Sequence, residues 1–485
     1  IILFLHSMQR KFITNLALLL LLNLLIKPFW IFGIDRTVQN MIGAEGYGKY
    51  YALLNFSFLL NIILDAGITN YNNRNISQHQ HLVSKHFSGI IILRFLLAGA
   101  YILISLILGL TIGYSKEDIH LLLILLANQF FISFILYLRS NLSGLHLFKQ
   151  DSVISVTDRF LMILICGYLI WYNNGANLNI GNFVYAQSAS YLITAIVAFI
   201  LLQGRISFLK LNWQPAFYIA ILKKSLPFAL LILLMTFYSR IDSIMLERLL
   251  PEGAFYAGVY AQAYRILDAV NMFGFLFASL LLPMFSHMIK KRQDIQPLTN
   301  LAFKLLMIPA LTLAALGLFF SNDIMNLLYH EHGDLSAPVF SILMFSFVFI
   351  STSYIFGTLL TANGSLRNLN LTAFGGMILN ISLNLYLIPQ FKASGAALAG
   401  LITQIIMAVA QIILAAKILH WKPDWKLNSK LLLFFILIAL IADIAIRYFP
   451  EIKTTLVIIL LAPILAFSLG LLRISELKSI MKERQ

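Results

Sequence analysis

Residues 36–71 read RTVQNMIGAEGYGKYYALLNFSFLLNIILDAGITNY. One apolar run ends before this stretch, a short turn carrying Gly43, Glu45, Gly46 and Gly48 crosses it, and a second apolar run follows from Tyr50 and Tyr51. A weaker echo lies about two hundred residues on, where Arg240 and Asp242 precede Pro251-Glu252-Gly253, Gly258 and Tyr260. A motif repeated at that distance predicts a chain of two similar halves.

The 485 residues are 60% hydrophobic and 11% charged. A soluble protein averages about 45–50% apolar and about 25% charged residues. Lipid is therefore the expected solvent for most of this surface. Runs such as Leu16–Leu22 and Leu431–Ile441 do not alternate apolar with polar, which excludes a closed barrel and leaves helices. The sequence predicts an all-α, polytopic membrane protein with about fourteen spans. They lie near 13–34, 48–66, 87–113, 119–139, 153–172, 181–203, 221–239, 256–283, 299–320, 336–360, 367–389, 394–417, 429–447 and 454–472. Met8-Gln-Arg-Lys is a candidate start, and the first run reads as a retained span because no small-residue cleavage site follows it.

Lys and Arg concentrate on the cytoplasmic side of membrane proteins. With the N-terminus inside, 24 of the 35 fall in inside segments, eight in outside segments, and Lys27, Arg94 and Arg265 within spans. This threefold bias sets the expected orientation, with both termini cytoplasmic. It also accounts for the net charge of +15 by topology and contact with anionic lipid rather than nucleic acid. Two parallel six-span repeats follow, an N-lobe over 1–205 and a C-lobe over 221–418, facing each other across a central cavity. A cytoplasmic linker, 206–220, joins them, and 419–485 adds two further spans and a tail. Such repeats are related by an axis along the membrane normal, with the substrate path between them.

Ile42-Gly-Ala-Glu-Gly-Tyr-Gly-Lys-Tyr resembles the "LGPEGYGLY" turn of the polysaccharide flippases. Asp65-Ala-Gly, Leu226-Pro227, Asp242 and Pro283-Met-Phe-Ser286 fit the same pattern. Asn380, Leu383-Asn384, Leu387-Ile-Pro389 and Ser394-Gly-Ala-Ala397 are similar to that family's "N..LN..LIP..G..GAA" signature. The resemblance spans nearly the whole chain, within the superfamily that also holds multidrug exporters and the peptidoglycan lipid flippase. The turn at Pro251-Glu252-Gly253 is longer than the family's first turn. The resemblance implies a bacterial inner-membrane flippase for polyprenyl-pyrophosphate-linked oligosaccharide (O-antigen or capsule repeat units), working by alternating access on an ion gradient. It implies no cofactor, and as partners membrane lipid, a polysaccharide polymerase and chain-length proteins. A peptidoglycan precursor flippase and a cation-coupled multidrug exporter are the alternatives. An enzyme such as a polymerase would need a long catalytic loop, which this chain lacks.

A pyrophosphate crossing about 30 Å of hydrocarbon needs a polar cavity with cations. Lys27, before the helix-kinking Pro28, is the first candidate, with snorkelling to the surface as the competing account. Arg94 and Arg265 are the others. Arg265 stands three residues from Asp268, so a structural ion pair competes there. Arg36, Asp65, Arg240 and Asp242, expected at span ends, and Asp268 are the expected gate or ion-coupling groups, with capping the alternative for Asp65. Pro28, Gly43, Gly46 and Gly48 are expected hinges. His330-Glu331-His332 has no evident third ligand and reads as a solvated loop, not a metal site. Cys166, the one cysteine, reads as a small core residue.

Overall fold

In the computed structural model, the structure describes residues 21–23, 25–69, 72, 82–145, 147–172, 178–203, 215–448 and 453–472. Arg10, Lys11 and most of the expected linker lie outside them. Every regular element among the described residues is helical. After a helical stretch from residue 25 and a π-helical turn, Trp30–Asp35, come α1 (Arg36–Leu59), α2 (Ile62–Asp65), α3 (Leu82–Ile112), α4 (Lys116–Gly144), α5 (Phe148–Trp171), α6 (Ile180–Gln203) and α7 (Pro215–Leu249). They are followed by α8 (Gly253–Lys290), α9 (Gln296–Phe319), α10 (Ser321–Leu328), α11 (Gly333–Ala362), α12 (Leu366–Leu419), α13 (Trp425–Tyr448) and α14 (Lys453–Ser468). Ten of these helices are long and apolar enough to cross a membrane. The chain is a multi-pass membrane protein.

Two junctions fall between expected spans and are tighter than loops. The stretch α1 is two helices joined at a kink in the glycine-rich segment, where Gly43 alone leaves helical geometry, at φ 82°, ψ 168°. A side chain there would clash with the backbone, so glycine is required. Gly46 and Gly48 are helical, and the expected three-glycine hinge contracts to one residue. At 54 residues, α12 is about 81 Å long if straight, far beyond the bilayer core. It is two spans folded back at Lys392, whose φ 52°, ψ −128° breaks the helix. The fold-back is tight. A Cβ on Gly395 would lie 2.2 Å from the Leu387 carbonyl oxygen, and one on Gly376 would lie 2.7 Å from the Met407 sulfur.

The chain divides into two compact units, Ile1–Ile244 and Met245–Gln485, with the division inside α7 rather than at the expected linker. In the first, α4 and α6 form the central pair, flanked by α1 and α5. A reciprocal capping box starts α4: the Ser115 hydroxyl accepts from the Asp118 amide, and the Asp118 carboxylate accepts from Ser115. Such a box satisfies amides that a helix start would otherwise leave orphaned. The second unit is built on α8, α9, α11 and α12. Its two added helices seat on α9, where Phe434, Ile438 and Ala442 of α13 and Ile458, Ala462 and Ala466 of α14 meet Ala315, Leu316 and Phe320.

Candidate functional site

In the first unit the helical stretch entering α1 carries Lys27, Pro28 and Trp30 before the π turn that ends at Asp35. Proline lacks an amide donor, so the helix around Pro28 lacks one rung, and π turns widen a helix locally and are frequent at functional sites. Asn23 ties this stretch to α5 by donating to the Ser155 hydroxyl at 3.0 Å. Trp30 stacks on Phe183 of α6, with ring planes within 1° and centroids 6.0 Å apart.

Lys27 is half-buried, and the charged groups acting on it are Arg159, Asp158 and Arg139. Arg159 is a residue that sequence reasoning passed over, having counted it among loop cations. It lies eleven residues into α5, about 17 Å from the helix start. Its guanidinium stands 5.7 Å from the Trp30 ring centroid and 5.8 Å from that of Tyr191, within the range of a cation–π attraction. Asp158 approaches it at 3.7 Å. Arg139 pairs with Asp151 at 2.7 Å. Three cations from three helical segments thus share one neighbourhood with two carboxylates and two aromatic faces. A multivalent anion entering it meets an excess of positive charge.

Asp35, also missed, is buried, and the Tyr47 hydroxyl lies 2.9 Å from each of its carboxylate oxygens. Tyr47 belongs to an aromatic cluster with Tyr50 and Tyr51, and Tyr50 accepts from the Gln187 amide at 2.9 Å. Arg36 follows Asp35 within the continuous helix, with its Nε buried and unpartnered among the described residues.

Arg94 has a different set of partners. It is 1% exposed and pairs with Asp65 at 2.5 Å. It also donates to the Thr69 hydroxyl at 2.7 Å and to the Ser133 hydroxyl and carbonyl at 2.8 and 3.1 Å. Tyr137 covers its face at 4.7 Å. Asp65 accepts from Thr69 as well. Here the arginine knits α2, α3 and α4 together. Arg240 and Asp242 lie nine and seven residues before the end of α7, which runs on to Leu249, so they are not at a helix tip. Asp242 is buried, and Arg240 stands 5.6 Å from the Phe58 ring.

In the second unit Arg265 and Asp268 form the i,i+3 pair on α8, at 3.6 Å. His332 packs edge-on against Phe255 at 4.8 Å, with Glu331 at 4.0 Å. Among the described residues no three His, Cys, Asp or Glu gather as metal ligands.

Residues 13–289, just over half of the chain, match the family described as polysaccharide biosynthesis protein. An uncharacterized membrane protein of Methanocaldococcus jannaschii, MJ1068, is 25% identical over 91% of this chain and 90% of its own length. Among solved structures, the lipid II flippase MurJ in an inward closed conformation aligns with a TM-score of 0.68 at 16% identity, covering 96% of this chain and 98% of that one. An inward-facing multidrug resistance transporter of the MATE family aligns at 0.64 and 15% identity, covering 80% of this chain and 93% of that one. At these identities the structural likenesses establish a common fold.

Proposed function

This chain belongs to the polysaccharide biosynthesis protein family, and from that membership we propose that it is a flippase for polyprenyl-pyrophosphate-linked oligosaccharide repeat units. It carries them from the cytoplasmic to the periplasmic face of the inner membrane by alternating access, with both termini cytoplasmic. The polyprenyl tail stays in lipid while the headgroup crosses inside the protein. No covalent bond changes, so the work is binding, shielding and release.

The observation that carries this reading is the neighbourhood of Lys27, Arg139 and Arg159. Cations in spanning segments are costly and are retained where an anion or a polar path needs them. A pyrophosphate supplies the counter-charge, and Trp30 and Tyr191 supply stacking faces for the adjoining sugar. Asp35 is our candidate coupling group. Protonating a buried carboxylate held by Tyr47, beside the widened turn, changes the charge balance of the helix that carries Lys27. Arg265, on α8 of the second unit, is a further candidate cation, and a polymerase and chain-length proteins receive the product.

A peptidoglycan precursor flippase is the second reading, since a lipid-linked pyrophosphate is common to both and the cations do not distinguish the sugars. The same cations disfavour an exporter of cationic drugs. The deciding experiment is deletion of the gene with analysis of lipid-linked sugars by mass spectrometry. Accumulation of a completed repeat unit on its carrier, reversed by the wild-type gene and not by Arg159→Glu, supports the proposal. Accumulation of the peptidoglycan precursor instead supports the second reading, and an unchanged lipid-linked pool overturns both.

A further inference from the structure

Two basic segments of the second unit, about 130 positions apart in sequence, are fastened side by side. One is the end of α8, with Lys290, Lys291 and Arg292 exposed. The other is the junction between α12 and α13, with Lys422 and Lys426 exposed. Gln296, in the first turn of α9, joins them. Its side chain donates to the Lys422 carbonyl at 2.5 Å and accepts from the Lys422 amide at 3.2 Å. One turn on, Asn300 reaches Asp424 at 3.4 Å. Trp421 is buried at 9% exposure and packs edge-on against Phe356 of α11 at 4.8 Å, which fixes the junction from below. Trp425, four residues later, is 77% exposed.

The two nearby carboxylates are engaged elsewhere. Asp294 accepts from the Gln296 amide at 2.9 Å, and Asp424 caps α13 by accepting from the Leu427 amide at 3.0 Å. None of the five cations forms an ion pair among the described residues. Orientation by charge needs cations in each loop singly. It does not need a glutamine to clamp two loops together, nor an indole left standing beside them.

We propose that this clamped patch is a docking site for anionic lipid headgroups, with the lysines and Arg292 meeting phosphates and Trp425 inserting at the level of the glycerol backbone. Charge complementarity carries the choice of partner. Five cations without carboxylate partners lie on a protein whose solvent is lipid, and basic clusters of this size beside a membrane attract anionic leaflets. Tryptophan is the side chain that prefers the interface, with one wet and one apolar edge. The site is separate from the Lys27 neighbourhood, and its failure would leave the flippase reading untouched.

The test uses the full-length protein in mixed micelles, with brominated phosphatidylglycerol and brominated phosphatidylcholine as quenchers of indole fluorescence. Brominated phosphatidylglycerol is expected to quench more at equal mole fraction, and Trp425→Phe to abolish that difference. The preference should fall roughly fivefold for each cation removed, in K290Q/K291Q/R292Q and in K422Q/K426Q. On the unaltered protein it should vanish in about 1 M salt, which screens exposed charges, so the result does not depend on a variant folding. Equal quenching by the two lipids, a preference that survives high salt, or saturable binding of poly-glutamate that leaves lipid quenching unchanged would each overturn the proposal.

Discussion

The guanidinium of Arg94 lies 2.5 Å from the carboxylate of Asp65, and the arginine is almost wholly enclosed. Removing the carboxylate would leave the buried guanidinium uncompensated, at a cost of about 3–5 kcal/mol, and removing the arginine unties its contacts to Thr69 and Ser133 and leaves the space it fills empty. Arg94→Ala is therefore expected to lower the yield and thermal stability of folded protein, and Arg94→Met with Asp65→Leu to recover most of the loss. Thermal unfolding in detergent measures this. If Arg94→Ala keeps full stability and loses only transport, the residue serves substrate and not scaffold.

Lys27→Ala and Arg159→Ala should behave in the opposite way. Each is expected to leave unfolding temperature nearly unchanged and to lower flipping about tenfold to a hundredfold, the scale of one lost charge-assisted hydrogen bond. Arg265→Ala is expected to lower flipping as well, with folding retained. Full flipping in all three, measured with a fluorescent lipid-linked sugar in vesicles, removes the cationic-site reading.

Asp35→Asn keeps the size of the side chain and removes its titration. The expected outcome is retained substrate binding with transport that no longer responds to an imposed ion gradient. Tyr47→Phe, which deletes the hydroxyl beside both carboxylate oxygens, should weaken the response and not abolish it. A gradient response unchanged in Asp35→Asn assigns coupling elsewhere.

Backbone geometry gives a test independent of charge. Gly43→Ala forces a side chain into φ 82°, ψ 168°, at a cost of about 1–3 kcal/mol. At Gly46 an added Cβ meets only the Ile42 methyl, at 2.8 Å, so Gly46→Ala is expected to cost less. Equal unfolding temperatures for the two variants would show that the bend is not confined to Gly43.

Orientation is open to cysteine labelling, because the native Cys166 is fully buried and gives a low background. Lys116→Cys is expected to react from the periplasm and Lys291→Cys from the cytoplasm. The reverse pattern inverts the topology.

The helical, membrane-embedded character was legible because unbroken apolar runs admit few alternatives. Junctions were less so. The run of glycines around Gly46 drew the expected turn over several residues, although one glycine suffices once the neighbours pack as helix. The turn at Lys392 falls in the expected loop between the spans 367–389 and 394–417, but its tightness was not legible, since nothing in the identity of Lys392 favours positive φ and the close approach of Gly395 to Leu387 emerges only in the fold. Arg159 sat six residues inside an expected span and was still counted as a loop cation, so its depth was available and unused. Asp35 was hidden by its neighbour Arg36, which made the pair read as the end of a span. Its burial depends on the helix continuing and on Tyr47 twelve residues away, a relation no local pattern encodes.

Single-residue bends at Gly43 and Lys392 leave no slack chain between the rods they connect. Proteases and inserted tags need an exposed segment that can open without tearing out packed helix. Both should be rejected at these two positions and accepted in the stretch 329–332, where the backbone already departs from helix. An epitope for tracking this protein in cells therefore belongs beside His330, even though the glycine-rich sequence looks like the softer target.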